Sequence, residues 1–198
     1  MSDQIVIHGF ETSNNFKVRV ALGFKGIDYR FEAIDPADRA GLVKISGQPF
    51  SPVMVHGDLV MFDSGAILRY LEGNFPDTPR LFSSDYDTMR GIEDWEWFGR
   101  TELHEALMIM VRQRKAGIND EAKTARAAEI FSAATGKIEA ALADSEWLAH
   151  SRLTAADVTC GAVVHRVAGM GAFEMPSDRP KTYAWADKVM AFDRGAGG

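Results

Sequence analysis

Ser51-Pro52-Val53 leads into Met54-Val55-His56-Gly57-Asp58-Leu59-Val60-Met61-Phe62, and Asp63-Ser64 then stands at a predicted helix start. Proline cannot donate to a sheet ladder, so Pro52 belongs at the first position of a strand or in a cis turn. Backbone beside it is then free to pair with something else, a ligand included. Asp63-Ser64 would set a carboxylate, a hydroxyl and the unpaired N–H groups of a helix N-terminus at one point. Such a point suits the ammonium and carboxylate of an amino-acid-like ligand. A helix cap beside a structural proline uses the same residues.

Those residues need elements to hold them. Gln4-Ile5-Val6-Ile7-His8-Gly9 predicts an opening strand, and Thr12-Ser13-Asn14 is a polar turn entering a helix over Asn15 to Lys25 that stops at Gly26. Ile27 to Ile34 alternates as a second strand. Val53 and Val55 alternate against Met54 and His56 around a Gly57-Asp58 turn, which is a hairpin pattern. Two prolines in Asn74-Phe75-Pro76-Asp77-Thr78-Pro79 mark a boundary. Beyond residue 84 only helical patterns follow. Asp85 to about Ala116 carries apolar residues near helical spacing at Met89, Ile92, Trp95, Phe98, Leu103, Leu107, Met110 and Val111, and Glu121 to Leu142 is a second long helix. Leu153-Thr154-Ala155-Ala156-Asp157-Val158 is a helix start, with Thr154 as N-cap, Asp157 as its reciprocal partner and Leu153 stapled to Val158.

The chain has 198 residues, 46% of them apolar, with a net charge of −6. That balance argues against general nucleic-acid binding, which rests on basic residues neutralising phosphates. No apolar run approaches the roughly 18 residues of a spanning helix, and no secretory signal pattern opens the chain. Cys160 is the sole cysteine, so an internal disulfide is impossible and a cytoplasmic location is expected. It lies on an apolar helix and is expected to pack as a small hydrophobe. His8, His56, His104, His150 and His165 show no spacing that makes a metal site, and no metal or cofactor is expected. The tail Gly195 to Gly198 is expected to fray.

Order and spacing of these features resemble the glutathione transferases. The resemblance is carried by Ser13 followed four positions on by Lys17-Val18-Arg19-Val20-Ala21-Leu22, by Pro52-Val53, by Asp63-Ser64, and by Ala66-Ile67-Leu68-Arg69-Tyr70-Leu71. It implies an α/β plus all-α fold: an N-terminal thioredoxin-like βαβαββα domain over residues 1–76, a linker over 77–84 and an all-helical domain over 85–198. It further implies a serine-type enzyme, akin to the theta and zeta classes and bacterial members, that conjugates or thiolyses small hydrophobic electrophiles. Glutathione is then the co-substrate and a homodimer the working form. Aromatic residues Trp95, Trp97 and Phe98 would need covering, with Phe50 an anchor into the partner subunit or packed within its own chain.

In that reading Ser13 serves the sulfur. A free thiol near pKa 8.5 is about 3% thiolate at pH 7, and lowering the pKa by about two units takes about 2.7 kcal/mol. One hydroxyl donating to a charged sulfur supplies roughly 1.5–3 kcal/mol, and the positive end of the following helix adds to it. Thr12 or Asn14 could make the contact instead, and an N-cap role would also account for Ser13. Carried over, the glutathione site comprises Ser13 at the sulfur, Val53 beside Pro52 at the cysteinyl unit, and Asp63 and Ser64 at the γ-glutamyl end. Phe50 stands where many members have lysine, leaving Gln48 as the nearest polar group for the glycyl carboxylate. Arg100, Thr101, His104 and Met108, at spacings of three and four, would share a face that in the resembling fold borders the electrophile pocket. Two alternatives stay open: an interaction module like the stringent starvation proteins, and a maleylacetoacetate isomerase, whose usual Ser-Ser pair is replaced by Thr12-Ser13.

Overall fold

The computed structural model describes residues 4–195. The apolar alternation at the start forms β1 (Ile5–Gly9), with Ile5 and Ile7 buried and Val6 and His8 on the other face. After a short turn the chain enters α1 (Ser13–Lys25), two residues earlier than the sequence predicts, because Thr12 supplies the cap. Gly26 ends that helix at φ 69°, a left-handed position open to glycine, and its N–H bonds back to the last turn. Next come β2 (Tyr29–Ala33), α2 (Ala40–Ser46), the hairpin strands β3 (Val53–His56) and β4 (Leu59–Phe62), and α3 (Ser64–Asn74). The sheet runs β2-β1-β3-β4, with β1 parallel to β2 and antiparallel to β3, and β3 antiparallel to β4. This is the thioredoxin-like βαβαββα order. Its core joins Val18, Val20 and Leu22 of α1 to Ile67, Leu68 and Leu71 of α3 and to the sheet.

The remaining helices are α4 (Tyr86–Arg100), α5 (Glu102–Ala116), α6 (Glu121–Ala141), α7 (Ala155–Ala168) and α8 (Pro180–Met190). The single helix expected from Asp85 to about Ala116 is thus two, because Thr101 leaves helical geometry at φ −113°, ψ −85° and its hydroxyl bonds to Trp97 O at 2.7 Å. In this unit α7 is buried along nearly its whole length and packs against α4, α5 and α8. Gly99 lets α4 approach it closely, since a Cβ there would stand 2.9 Å from Cys160 Sγ. The start predicted for α7 is present as a capping box: Asp157 accepts hydrogen bonds from Thr154 N–H at 2.8 Å and from the Thr154 hydroxyl at 3.0 Å, with Leu153 and Val158 buried beside them.

By packing, the chain divides after Leu81, and residues 191–195 belong with the sheet rather than with the helices. Both departures from the expected boundaries have an electrostatic cause. Glu72 of α3 accepts hydrogen bonds from Leu81 N–H at 3.0 Å, from Lys25 Nζ at 3.1 Å and from Arg80, which binds the chain after the prolines to the first unit. Arg19, only 4% exposed, needs counter-charge, and Asp193 supplies it in a two-pronged pair at 2.8 and 2.5 Å, joined by Glu11 at 3.0 Å. Phe192 packs edge-on against Phe24, and Tyr29 donates to Gly195 O at 3.0 Å. Burial and the nearby Asp193 carboxylate push the Tyr29 phenol up to about 12. Gly195 is therefore held; the rest of the expected frayed tail, residues 196–198, lies outside the described residues.

Candidate functional site

The site grows from the first turn of α1. Thr12, in extended geometry, is its N-cap, and Thr12 Oγ1 accepts from Asn15 N–H at 3.2 Å and from Asn15 Nδ2 at 2.8 Å. Ser13 is therefore the first helical residue and not the cap. It is 5% exposed, and its hydroxyl forms no hydrogen bond among the described residues. The capping duty that could have accounted for Ser13 is thus performed by its neighbour.

Two asparagines tie this turn to distant loops. Asn15 Nδ2 also donates to Ser51 Oγ at 2.9 Å, which joins α1 to the residue before Pro52. Asn14 Oδ1 accepts from the Ser64 hydroxyl at 3.2 Å, which joins it to the start of α3. Ser13, Ser51-Pro52 and Asp63-Ser64 are in this way brought together by side chains 36 and 50 residues apart in the chain. The Ser51–Pro52 peptide is cis.

Asp63 holds φ 74°, ψ 111°, in the positive-φ region that side-chain-bearing residues rarely enter, and it is the one non-glycine to do so among the described residues. Strain of this kind concentrates at ligand clamps. Its Oδ1 caps α3 by accepting from Ala66 N–H at 2.9 Å, while the residue as a whole is exposed and Ser64 is 7% exposed. The exposed Asp63 carboxylate therefore stands at the positive end of α3, with the buried Ser64 hydroxyl beside it donating to Asn14 Oδ1.

The chain matches the family models described as "Glutathione S-transferase, N-terminal domain" over residues 7–79 and "Glutathione S-transferase, C-terminal domain" over residues 99–193. The chain belongs to the glutathione S-transferase family. A glutathione S-transferase of Triticum aestivum is 40% identical over 82 residues, which cover 41% of this chain and 38% of that protein. The chain thus spans well under half the length of that curated relative. A glutathione S-transferase of Hyoscyamus muticus is 25% identical over 186 residues, 88% of each chain. Among solved structures, a glutathione S-transferase from Rhodospirillum rubrum F11 superposes with a TM-score of 0.84 at 21% identity, covering 94% of this chain and 87% of that one, a likeness of fold.

For a glutathione S-transferase, the geometry reassigns several residues that the sequence nominates. Val53 is fully buried and lies in register with His8 on one side and Phe62 on the other, so strands flank it on both edges. The backbone outside the ladder beside Pro52 is that of Ser51. Gln48 spends its amide inside its own loop, donating to Ser46 Oγ at 2.8 Å and Phe50 O at 3.0 Å and accepting from Phe50 N–H at 2.6 Å. It braces the loop and is not free to take a carboxylate. Sequence reasoning passed over Arg39, whose guanidinium lies 4.8 Å from the centre of the Phe10 ring and donates to Pro49 O at 3.3 Å. Stacking on the β1–α1 loop places this cation between that loop and the one before Pro52. No local signal marks it.

The four residues expected to line an electrophile pocket do not share one helix face. The break at Thr101 leaves Arg100 exposed at the end of α4, its Nε bonded to Glu96 O at 3.3 Å. Only His104 and Met108, one turn apart on α5 and half-buried, keep the expected relation. Phe98 is buried within the helical unit and carries Trp95 edge-on, while Trp97 remains 64% exposed. Cys160 is fully buried with Sγ bonded to Trp95 O at 3.3 Å.

Proposed function

We propose that the protein binds glutathione in the first unit, holds its sulfur as the thiolate at the N-terminus of α1, and delivers it to a small hydrophobic electrophile. The observation that carries this reading is the first turn of α1, where Ser13 has no hydroxyl hydrogen bond among the described residues and its neighbours Asn15 and Asn14 bond to Ser51 and Ser64. The thiol proton leaves to solvent, and the sulfur's electron pair forms a C–S bond. The electrophile's own pair departs with a leaving group or moves onto an adjacent atom and is protonated. Ser13 donates to the charged sulfur; Asp63 and Ser64 hold the γ-glutamyl ammonium and carboxylate. Ser51, beside the buried Pro52 and Val53, offers its backbone to the cysteinyl unit. Arg39 replaces Gln48 as the group for the glycyl carboxylate, being a cation within reach of the same loop.

A homodimer is part of the proposal. Phe50 is 69% exposed, so packing within its own chain does not account for it, and the edge strand β4 shows Leu59, Val60 and Phe62. Exposed apolar side chains of this size call for a covering surface, and a second copy with Phe50 as anchor supplies one. Light scattering is expected to give twice the chain mass, and a monomer across micromolar concentrations overturns it.

Calorimetry with glutathione at millimolar concentration tests the central reading. Saturable binding is expected, followed by turnover against a panel of electrophiles. Absence of binding overturns it and favours an interaction module of the same fold.

A further inference from the structure

Asn15 is completely buried, and its Oδ1 has no hydrogen-bond partner. Its other polar atom does more than brace two loops. A hydroxyl has two lone pairs and one proton. Both lone pairs of Thr12 Oγ1 are occupied, by Asn15 N–H at 3.2 Å and by Asn15 Nδ2 at 2.8 Å, so Thr12 has only its proton left to offer. Ser51 Oγ accepts the second Nδ2 hydrogen at 2.9 Å and likewise keeps its proton for another partner. Both residues are half-buried, so neither proton is sealed in the core.

The amide's orientation follows from Gly9. Asn15 Oδ1 stands 1.9 Å from where a Cβ on Gly9 would be, so it rests against the Cα hydrogens of that glycine. A carbonyl oxygen makes a weak attractive contact there, whereas an NH2 group would set hydrogen against hydrogen. Gly9 therefore admits the side chain and selects which end of it meets the hydroxyls.

We propose that Asn15 is a positioning residue that turns the hydroxyl protons of Thr12 and Ser51 outward, as a pair of donors for the sulfur of bound glutathione beside Ser13. The inference rests on the reading of this site as a glutathione site. Donors to the charged form depress a thiol's pKa, so the pair adds to the effect of Ser13. A merely structural Asn15 would change stability and leave that pKa alone.

The test uses the full-length protein and follows the ultraviolet absorbance of bound thiolate against pH. Asn15→Ala is expected to raise the thiol pKa by about one unit, and the double variant Thr12→Val, Ser51→Ala to raise it by at least as much. Adding Asn15→Ala to that double variant is expected to add nothing, and Thr12→Ser to keep the unmodified value. An equal shift from Asn15→Ala in both backgrounds, or no shift in a folded Asn15→Ala protein, overturns the proposal. Should Asn15→Ala fail to fold, Thr12→Val decides: an unchanged thiol pKa overturns it. Calorimetry on the unmodified protein separates the two levels. No glutathione binding removes the glutathione reading itself, whereas binding with a thiol pKa indifferent to Asn15, Thr12 and Ser51 removes this inference alone.

Discussion

Asp157 in the helical unit and Asn15 in the sheet unit are both 0% exposed. Asp157 accepts hydrogen bonds from Leu148 N–H at 2.9 Å, Thr154 N–H at 2.8 Å, the Thr154 hydroxyl at 3.0 Å and Trp185 Nε1 at 3.0 Å. Around Asn15, by contrast, its own carbonyl oxygen has no hydrogen-bond partner among the described residues, and Asp63 sits in a strained conformation close by. A buried polar group left unbonded costs about 1–3 kcal/mol. Asp157 avoids that cost with partners from its own unit. The α1 site retains it at Asn15 Oδ1, which rests against Gly9 while the amide's NH2 end holds the two hydroxyls.

The largest expected effect tests the completed centre. Asp157→Ala leaves four donors without an acceptor and is expected to cost about 3 kcal/mol or more of stability, read from urea unfolding. A loss below about 1 kcal/mol would mean that the network is not the keystone its bonding suggests.

Ser13→Ala should behave in the opposite way. It removes a hydroxyl with no hydrogen bond among the described residues, so stability should stay within about 0.5 kcal/mol. The bound thiol's pKa should rise by about one to two units, and turnover near neutral pH should fall about ten- to a hundredfold with glutathione affinity little changed. If Ser13→Ala keeps both while Thr12→Val or Asn14→Ala loses them, the sulfur contact belongs to that neighbour. Asp63→Ala mixes the two behaviours, because this carboxylate both caps α3 and faces outward. Glutathione affinity should fall at least about tenfold by calorimetry, and stability by about 1 kcal/mol from the lost cap.

The smallest effect concerns Glu72, a second completed centre. Burial acts to raise its pKa, but hydrogen bonds from Leu81 N–H, Arg80 and Lys25 outweigh it and hold the carboxyl below its ordinary value. With the folded pKa depressed, its stabilisation is present above the unfolded value and is lost as pH falls through the folded one. Between about pH 5 and about pH 3 the unmodified protein should therefore lose more stability than Glu72→Gln. Equal losses would show that Glu72 does not couple folding to acid.

The sequence by itself determined what acts within three or four residues. The capping box at Thr154 and Asp157, the stop at Gly26, the Gly57-Asp58 turn and the placing of Pro52 at a strand mouth are local, because side chain and backbone partner are near neighbours in the chain. Ordered along the chain, they carried the family resemblance that implied the fold class, and they placed Ser13 and Asp63-Ser64 at helix starts. Tertiary structure decided what those residues meet. Asn15 finds Ser51, Asn14 finds Ser64 and Arg19 finds Asp193 only after the sheet has set loops from distant positions side by side. Gln48 is spent on its own loop, and Thr101 divides what helical spacing joins. Local propensity is a sum over neighbours, whereas the choice of partner for a buried polar group depends on which segments the core has already brought within about 3 Å of it.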